Sequence, residues 1–227
     1  MRVVPQGPTT LPEDMEALRT GLVEMASVVL AQVERAVVAW EETDRDAAAL
    51  VVEGDDEVDE RLIGLEERVL DVHLLHAPLA GDLRLLHVGL IAAVALERVG
   101  DLAVSIARLA ESVPLEGAIP EVESIIRRMS ARSVDTLARA VQAVARGDAD
   151  LGDQAKADAW RARAMLEDVR VAVADTEGST EHREWSTAAV LVARHLERVA
   201  NNAAEIGGRV RFLVTGVPFR RTGVPST

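Results

Sequence analysis

Apolar residues recur three and four positions apart along nearly the whole chain. Leu18, Leu22, Met25, Val29 and Val33 keep that spacing and predict a first helix from about Glu13 to Glu42. Thr43-Asp44 reads as a turn and N-cap, with a second helix running on to about His76. Pro78 interrupts the pattern. Pro78-Leu79-Ala80-Gly81-Asp82 predicts a turn, with Asp82 as N-cap of a third helix reaching about Glu111. Pro114 to Pro120 reads as a linker. The plan then repeats: helix four from Glu121 to Arg146, a turn at Gly147-Asp148, helix five from Ala149 to Asp175, a polar segment over Thr176 to Thr180, and helix six from Glu184 to Thr215. No stretch alternates with the period of a strand between turn signals. The pattern predicts an all-α fold of two tandem three-helix bundles, a six-helix internal duplication packed side by side. The bundles span residues 13–113 and 120–216, with residues 1–12 and 217–227 as flexible termini.

The duplication is visible in the letters. Leu96-Glu97-Arg98-Val99 and Leu196-Glu197-Arg198-Val199 stand one hundred residues apart in similar apolar surroundings. Each copy sets a carboxylate on a stripe that otherwise reads as core, and a buried carboxylate is costly unless something pairs with it.

Projected on a helix, Glu97 and Asp101 lie about 40° apart, in line with Leu83, Leu86, Leu90, Val94 and Val104. Asp55 and Asp59 share a face with Ala48, Val51, Leu62 and Val69. A short turn makes helices two and three antiparallel neighbours. Counted from that turn, Asp55 and Glu97 come to heights within roughly 9 Å of each other. Asp55, Asp59, Glu97 and Asp101 can then converge, and four like charges call for a hard cation between them. The other reading pairs these acids with Arg61, Arg98 or Arg108, or leaves them facing water. In the second half Asp158 matches Asp55 and Glu197 matches Glu97, but Ala162 and Asn201 stand where Asp59 and Asp101 would map. That site keeps two of the four carboxylates and is the weaker metal candidate.

Composition narrows the chemistry. Hydrophobic residues make up 48% and aromatics 2% of 227 residues, so the core comes from Ala, Val and Leu, which suits close-packed helices. The absence of cysteine excludes disulfides and thiolate metal sites. A net charge of -13 argues against broad nucleic-acid binding, and suits cations or a basic partner. No apolar run approaches the roughly 20 residues of a membrane span, and no secretory signal opens the chain, so the expected location is the cytoplasm. None of His73, His76, His87, His182 and His195 has a Glu three residues before it, which disfavours a ferritin-like di-iron oxidase. No phosphate loop, dinucleotide fingerprint or nucleophile elbow is present. Trp40, Trp160 and Trp185 fall on different helices and read as packing or interface residues.

Taken in order, three segments resemble the PhoU family. They are Glu53-Gly54-Asp55 through Val58-Asp59, then Pro78-Leu79-Ala80-Gly81-Asp82-Leu83-Arg84, then Leu96-Glu97-Arg98-Val99-Gly100-Asp101-Leu102-Ala103. The closing Leu196-Glu197-Arg198-Val199, Arg209-Val210 and Leu213-Val214-Thr215-Gly216 are similar to it as well, so the likeness spans roughly residues 13 to 216. The resemblance implies two three-helix repeats in a cytoplasmic, non-enzymatic regulator of phosphate homeostasis. Such a regulator acts negatively on a phosphate ABC transporter and its sensor histidine kinase, and is commonly a homodimer. It implies iron or zinc, or another divalent or trivalent ion, on E/D-x-x-x-D motifs. Asp55, Asp59, Glu97 and Asp101 are then ligands in the first repeat, with Asp158 and Glu197 in the second. Two departures stand out. The family's second motif continues Glu-Arg-Ile-Gly-Asp, whereas this chain has Glu197-Arg198-Val199-Ala200-Asn201, and Pro78 to Arg84 has no copy in the second half. The alternative function is a carboxylate-bridged metal-binding helical protein, acting as metal buffer or metalloenzyme.

Overall fold

The computed structural model describes residues 9–114, 117–174 and 178–217. Among them every regular element is helical. The helices are α1 (Leu11–Glu42), α2 (Arg45–Glu53), α3 (Asp55–His76), α4 (Ala80–Ser112), α5 (Pro120–Arg146), α6 (Ala149–Ala174) and α7 (Thr180–Thr215). Since α2 and α3 follow one another across a single residue, the architecture is six rods in two tandem three-helix groups, as the apolar pattern predicts.

Local chemistry sets the ends. The Thr10 backbone N–H donates to the Glu13 carboxylate at 2.8 Å, and Pro12 occupies the first turn, where its missing N–H costs nothing. Helix α1 therefore starts at Leu11, inside the stretch expected to be a leader. Asp44 accepts from the Ala47 N–H at 2.9 Å and caps α2. Gly147, at φ 64, closes α5 in the left-handed conformation that favours glycine. Ser179 caps α7, so that helix begins one turn before Glu184. The cap of α4 is Leu79; Asp82 lies inside the first turn rather than at the N-cap. Residues 1–8, 115–116, 175–177 and 218–227, on which parts of the expected termini and connections fall, lie outside the described residues.

The expected second helix is not continuous. It breaks at Gly54 (φ -82, ψ 0), where the Gln32 side chain donates from Nε2 to the Gly54 carbonyl at 2.6 Å. The break creates a new helix N-terminus at Asp55. Asp55, Asp56 and Glu57 occupy that first turn, where unpaired backbone N–H groups favour negative charge.

Helix α4 packs on α1 and α3, helix α7 packs on α5 and α6, and the halves join where α4 meets α7 and α1 meets α5. One apolar core runs through both halves, built largely from alanine and valine. Trp40 and Trp185 stack at the junction with ring centroids 5.9 Å apart. Small residues allow close approach: a Cβ on Gly152 of α6 would lie 2.2 Å from the Gly207 carbonyl oxygen of α7. Of the stripe expected to be core in the third helix, Leu83 is instead 44% exposed and Leu90 and Val94 are half-buried, while Leu86 and Val104 are buried.

Candidate functional site

Four acids of the first repeat occupy one region of its surface. Asp55 sits at the start of α3 and Asp59 one turn on; Glu97 and Asp101 are one turn apart on α4. Asp55 and Glu97 are half-buried, whereas Asp59 and Asp101 are exposed. Burial raises the Asp55 carboxyl above its ordinary value of 3.8, and the charges of Asp101 and Asp59 push it the same way, against Arg108. Burial likewise raises Glu97 above 4.5, again reinforced by Asp101 and Asp59 and opposed by Arg98. The four acids therefore share one negative field, as their spacing predicts.

Among the described residues, none of the four carboxylates forms an ion pair within 4.0 Å. Arg61, a candidate partner from sequence, turns instead to Glu57 at 2.8 Å and Glu24 at 3.5 Å. Nor does any group of three or more acidic or histidine side chains among the described residues stand in metal-holding geometry. The acids are close enough to repel but not drawn together.

Gln32 is the residue that sequence reasoning missed here. It is 3% exposed, ties α1 to the break before Asp55, and leaves its Oε1 without a partner. A Cβ on Gly100, beside Asp101, would come within 3.4 Å of that oxygen. Thus one buried amide touches both acid-bearing helices. The available signal was a polar residue inside the apolar run Val29 to Val33.

The second repeat resolves the same problem internally. Asp158 and Glu197 are each 4% exposed. Arg139 bonds Asp158 Oδ2; Arg161 and Arg132 approach Oδ1 at 2.5 Å and 3.7 Å. Glu197 takes Arg194 at 2.7 Å and the Asn201 amide at 2.8 Å. So Asn201, at the position of Asp101, donates to the carboxylate rather than repelling it. Arg161 and Arg194 lie three residues from their acids, a helical spacing legible in sequence. Arg132 and Arg139 arrive from α5, which only the tertiary fold reveals. His73, placed apart from the acids, donates from Nδ1 to its own helix at the Val69 carbonyl, 2.8 Å away.

The raised carboxyls predict an inverted acid response. Between 3.8 or 4.5 and the raised folded values, the folded chain holds more protons than the unfolded one. The contribution of these two groups to metal-free stability should therefore fall as pH rises through that window, against the opposite contribution of Glu13, Asp14 and Glu181, whose carboxyls are lowered by their hydrogen bonds. Asp55→Asn with Glu97→Gln should remove that contribution, so that stability rises more steeply with pH than in the parent, and should raise stability at neutral pH by up to about 1 kcal/mol, the scale of partly exposed charge interactions. Urea unfolding from about pH 4 to about pH 8 reads both. A double variant less stable than its parent would mean that the acids are held by stabilising partners.

Comparison with known proteins gives a consistent result. The PhoU domain pattern matches residues 22–110. The phosphate-specific transport system accessory protein PhoU homolog of Pseudomonas aeruginosa is 30% identical over 214 residues, covering 93% of this chain and 88% of that protein. The Pseudomonas putida homolog is 29% identical over 212 residues, with 93% and 83% covered. The crystal structure of PhoU from Pseudomonas aeruginosa superposes with a TM-score of 0.85 at 25% identity, covering 92% of this chain and all of that one. The PhoU structure from Streptococcus pneumoniae, at 21% identity and a TM-score of 0.81, shares the fold.

Proposed function

Because the chain belongs to the PhoU family, we propose that it is a regulatory adaptor of phosphate homeostasis rather than an enzyme. It restrains a phosphate ABC transporter and the signalling of that transporter's sensor histidine kinase through protein contacts on the cytoplasmic side, acting as a homodimer. The observation that carries this reading is likeness over nearly the whole length of relatives described as accessory proteins of phosphate-specific transport. Two further facts suit it: no helix among the described residues is long and apolar enough to cross a membrane, and no activated nucleophile accompanies the acids.

Metal belongs to the same proposal. Asp55, Asp59, Glu97 and Asp101 are hard oxygen donors without a cationic partner within 4.0 Å among the described residues, and by donor chemistry, though not in their present spacing, they suit a divalent or trivalent ion such as iron or zinc. A bound ion would supply charge neutralisation, allowing the acid-bearing faces of α3 and α4 to close. Asp158 and Glu197 already carry arginine partners and are the poorer ligands.

The test is retention of the kinase's cytoplasmic domain by the immobilised full chain, with metal and with chelator. Retention that strengthens with metal is expected; absence of retention in both conditions removes the adaptor reading. The unpaired acids also favour a second reading, a metal buffer or metalloenzyme. Anaerobic iron loading followed by oxygen separates the two: an optical band with turnover supports the enzyme.

A further inference from the structure

The two repeats carry opposite charge. Residues 1–119 contain 23 acidic and 9 basic side chains, whereas residues 120–227 contain 15 and 16. The net charge of -13 therefore resides in the first half. The contrast is sharpest where the duplicated acids lie. In the first repeat Asp55, Asp59, Glu97 and Asp101 gather with no cation within 4.0 Å among the described residues. In the second, Arg132, Arg139 and Arg161 surround the single carboxylate of Asp158, leaving a local surplus of two positive charges.

That surplus is open to solvent on one side. Asp158 is buried, but the side chains of Arg132 and Arg139 are each 40% exposed and that of Arg161 is 63% exposed. A guanidinium carries five N–H donors; Asp158 accepts one from Arg139 and one from Arg161, and Arg132 stays at ion-pair distance, 3.7 Å. Arg132 and Arg161 approach the same oxygen, Oδ1, so their nitrogens lie within the span of one small anion. Asp135, between Arg132 and Arg139 on α5, pairs with neither among the described residues, and Glu197 is taken by Arg194.

We propose that Arg132, Arg139 and Arg161 form an oxyanion site on the second repeat, taking a phosphoryl-class dianion. Asp158 is its internal placeholder: it orders the three guanidiniums while their remaining N–H groups bind the ligand. The donors converge from two turns of α5 and one of α6, which matches several oxygens of a tetrahedral anion better than the two of a planar carboxylate. Nothing in this assignment depends on the regulatory role or on metal in the first repeat. It makes the duplicated scaffold a pair of sites of opposite sign.

Calorimetric titration of the full chain at fixed ionic strength, with orthophosphate in one arm and pyrophosphate in the other, tests this site. Saturable binding of one equivalent is expected. Asp158→Asn removes the internal competitor and should tighten binding on the order of tenfold, the scale of one charge-assisted contact. The triple variant Arg132→Gln, Arg139→Gln, Asp158→Asn removes charges of both signs, so it avoids stranding a buried carboxylate, and it should lose binding. Saturation by orthophosphate supports a free anion as ligand; saturation by pyrophosphate alone supports a phosphoryl group within a larger molecule. Absence of saturable heat with either anion, in both the parent and Asp158→Asn, overturns the site. So does binding that survives in the triple variant.

Discussion

Gly152→Ala is expected to lower the stability of the chain by about 2–3 kcal/mol, although alanine is the better helix former by about 1 kcal/mol. The added methyl would stand 2.2 Å from the Gly207 carbonyl oxygen and 2.9 Å from its carbonyl carbon. Both atoms are backbone of a long packed helix, so no side-chain rotation relieves the clash; α6 and α7 must separate. From the other side, a Cβ on Gly207 would meet the Gly152 carbonyl oxygen at 2.7 Å, so Gly207→Ala should behave similarly. Separation also reaches the site, because Asp158 lies less than two turns along α6 from Gly152. Gly64→Ala is the matched control. Its Cβ meets nothing within 4 Å, and it should stabilise the chain by about 0.5–1 kcal/mol through helix propensity and a less flexible unfolded state. Urea unfolding of the three variants decides; a neutral or stabilising Gly152→Ala would mean that the helices are not in contact there.

Metal binding at the first repeat should produce the other large effect. A ligand that binds only the folded chain stabilises it by about 2.7 kcal/mol at one hundred times its dissociation constant. Titrating zinc or manganese, or ferrous iron without oxygen, into chelator-treated protein should therefore raise the thermal midpoint by several degrees, with about 2–4 °C per kcal/mol for a chain of this size. Asp55→Asn with Glu97→Gln should abolish the shift, and Asp158→Asn should leave it intact. A shift of equal size in all three proteins places the metal elsewhere. No shift with any of the three ions removes the cation pocket, while the family assignment stands.

These expectations rest on different amounts of sequence information. The all-α class and the duplication follow from apolar spacing and the two Leu-Glu-Arg-Val copies, because helix periodicity is a local property that neighbours in space rarely overturn. Two element ends were legible from turn residues, Asp44 at α2 and Gly147 at the close of α5; the chemical caps Thr10 and Ser179 were equally present in the letters but lie ahead of the expected helix starts. Two other ends carry no local signal. Leu79 has no capping side chain, and the break at Gly54 is enforced from another helix by Gln32.

The shared field of Asp55, Asp59, Glu97 and Asp101 was also within reach of the sequence. Two i,i+4 pairs on antiparallel neighbours with a short turn have little freedom in relative height. What the sequence determined by itself, then, is which carboxylates each repeat presents and on which helical faces. The tertiary structure alone decided what meets them. Reach across a bundle depends on helix rotation and close approach, and neither is written in the spacing of any single helix. That is why α5 could place Arg132 and Arg139 against Asp158, while no guanidinium comes within 4.0 Å of the first repeat's four acids among the described residues.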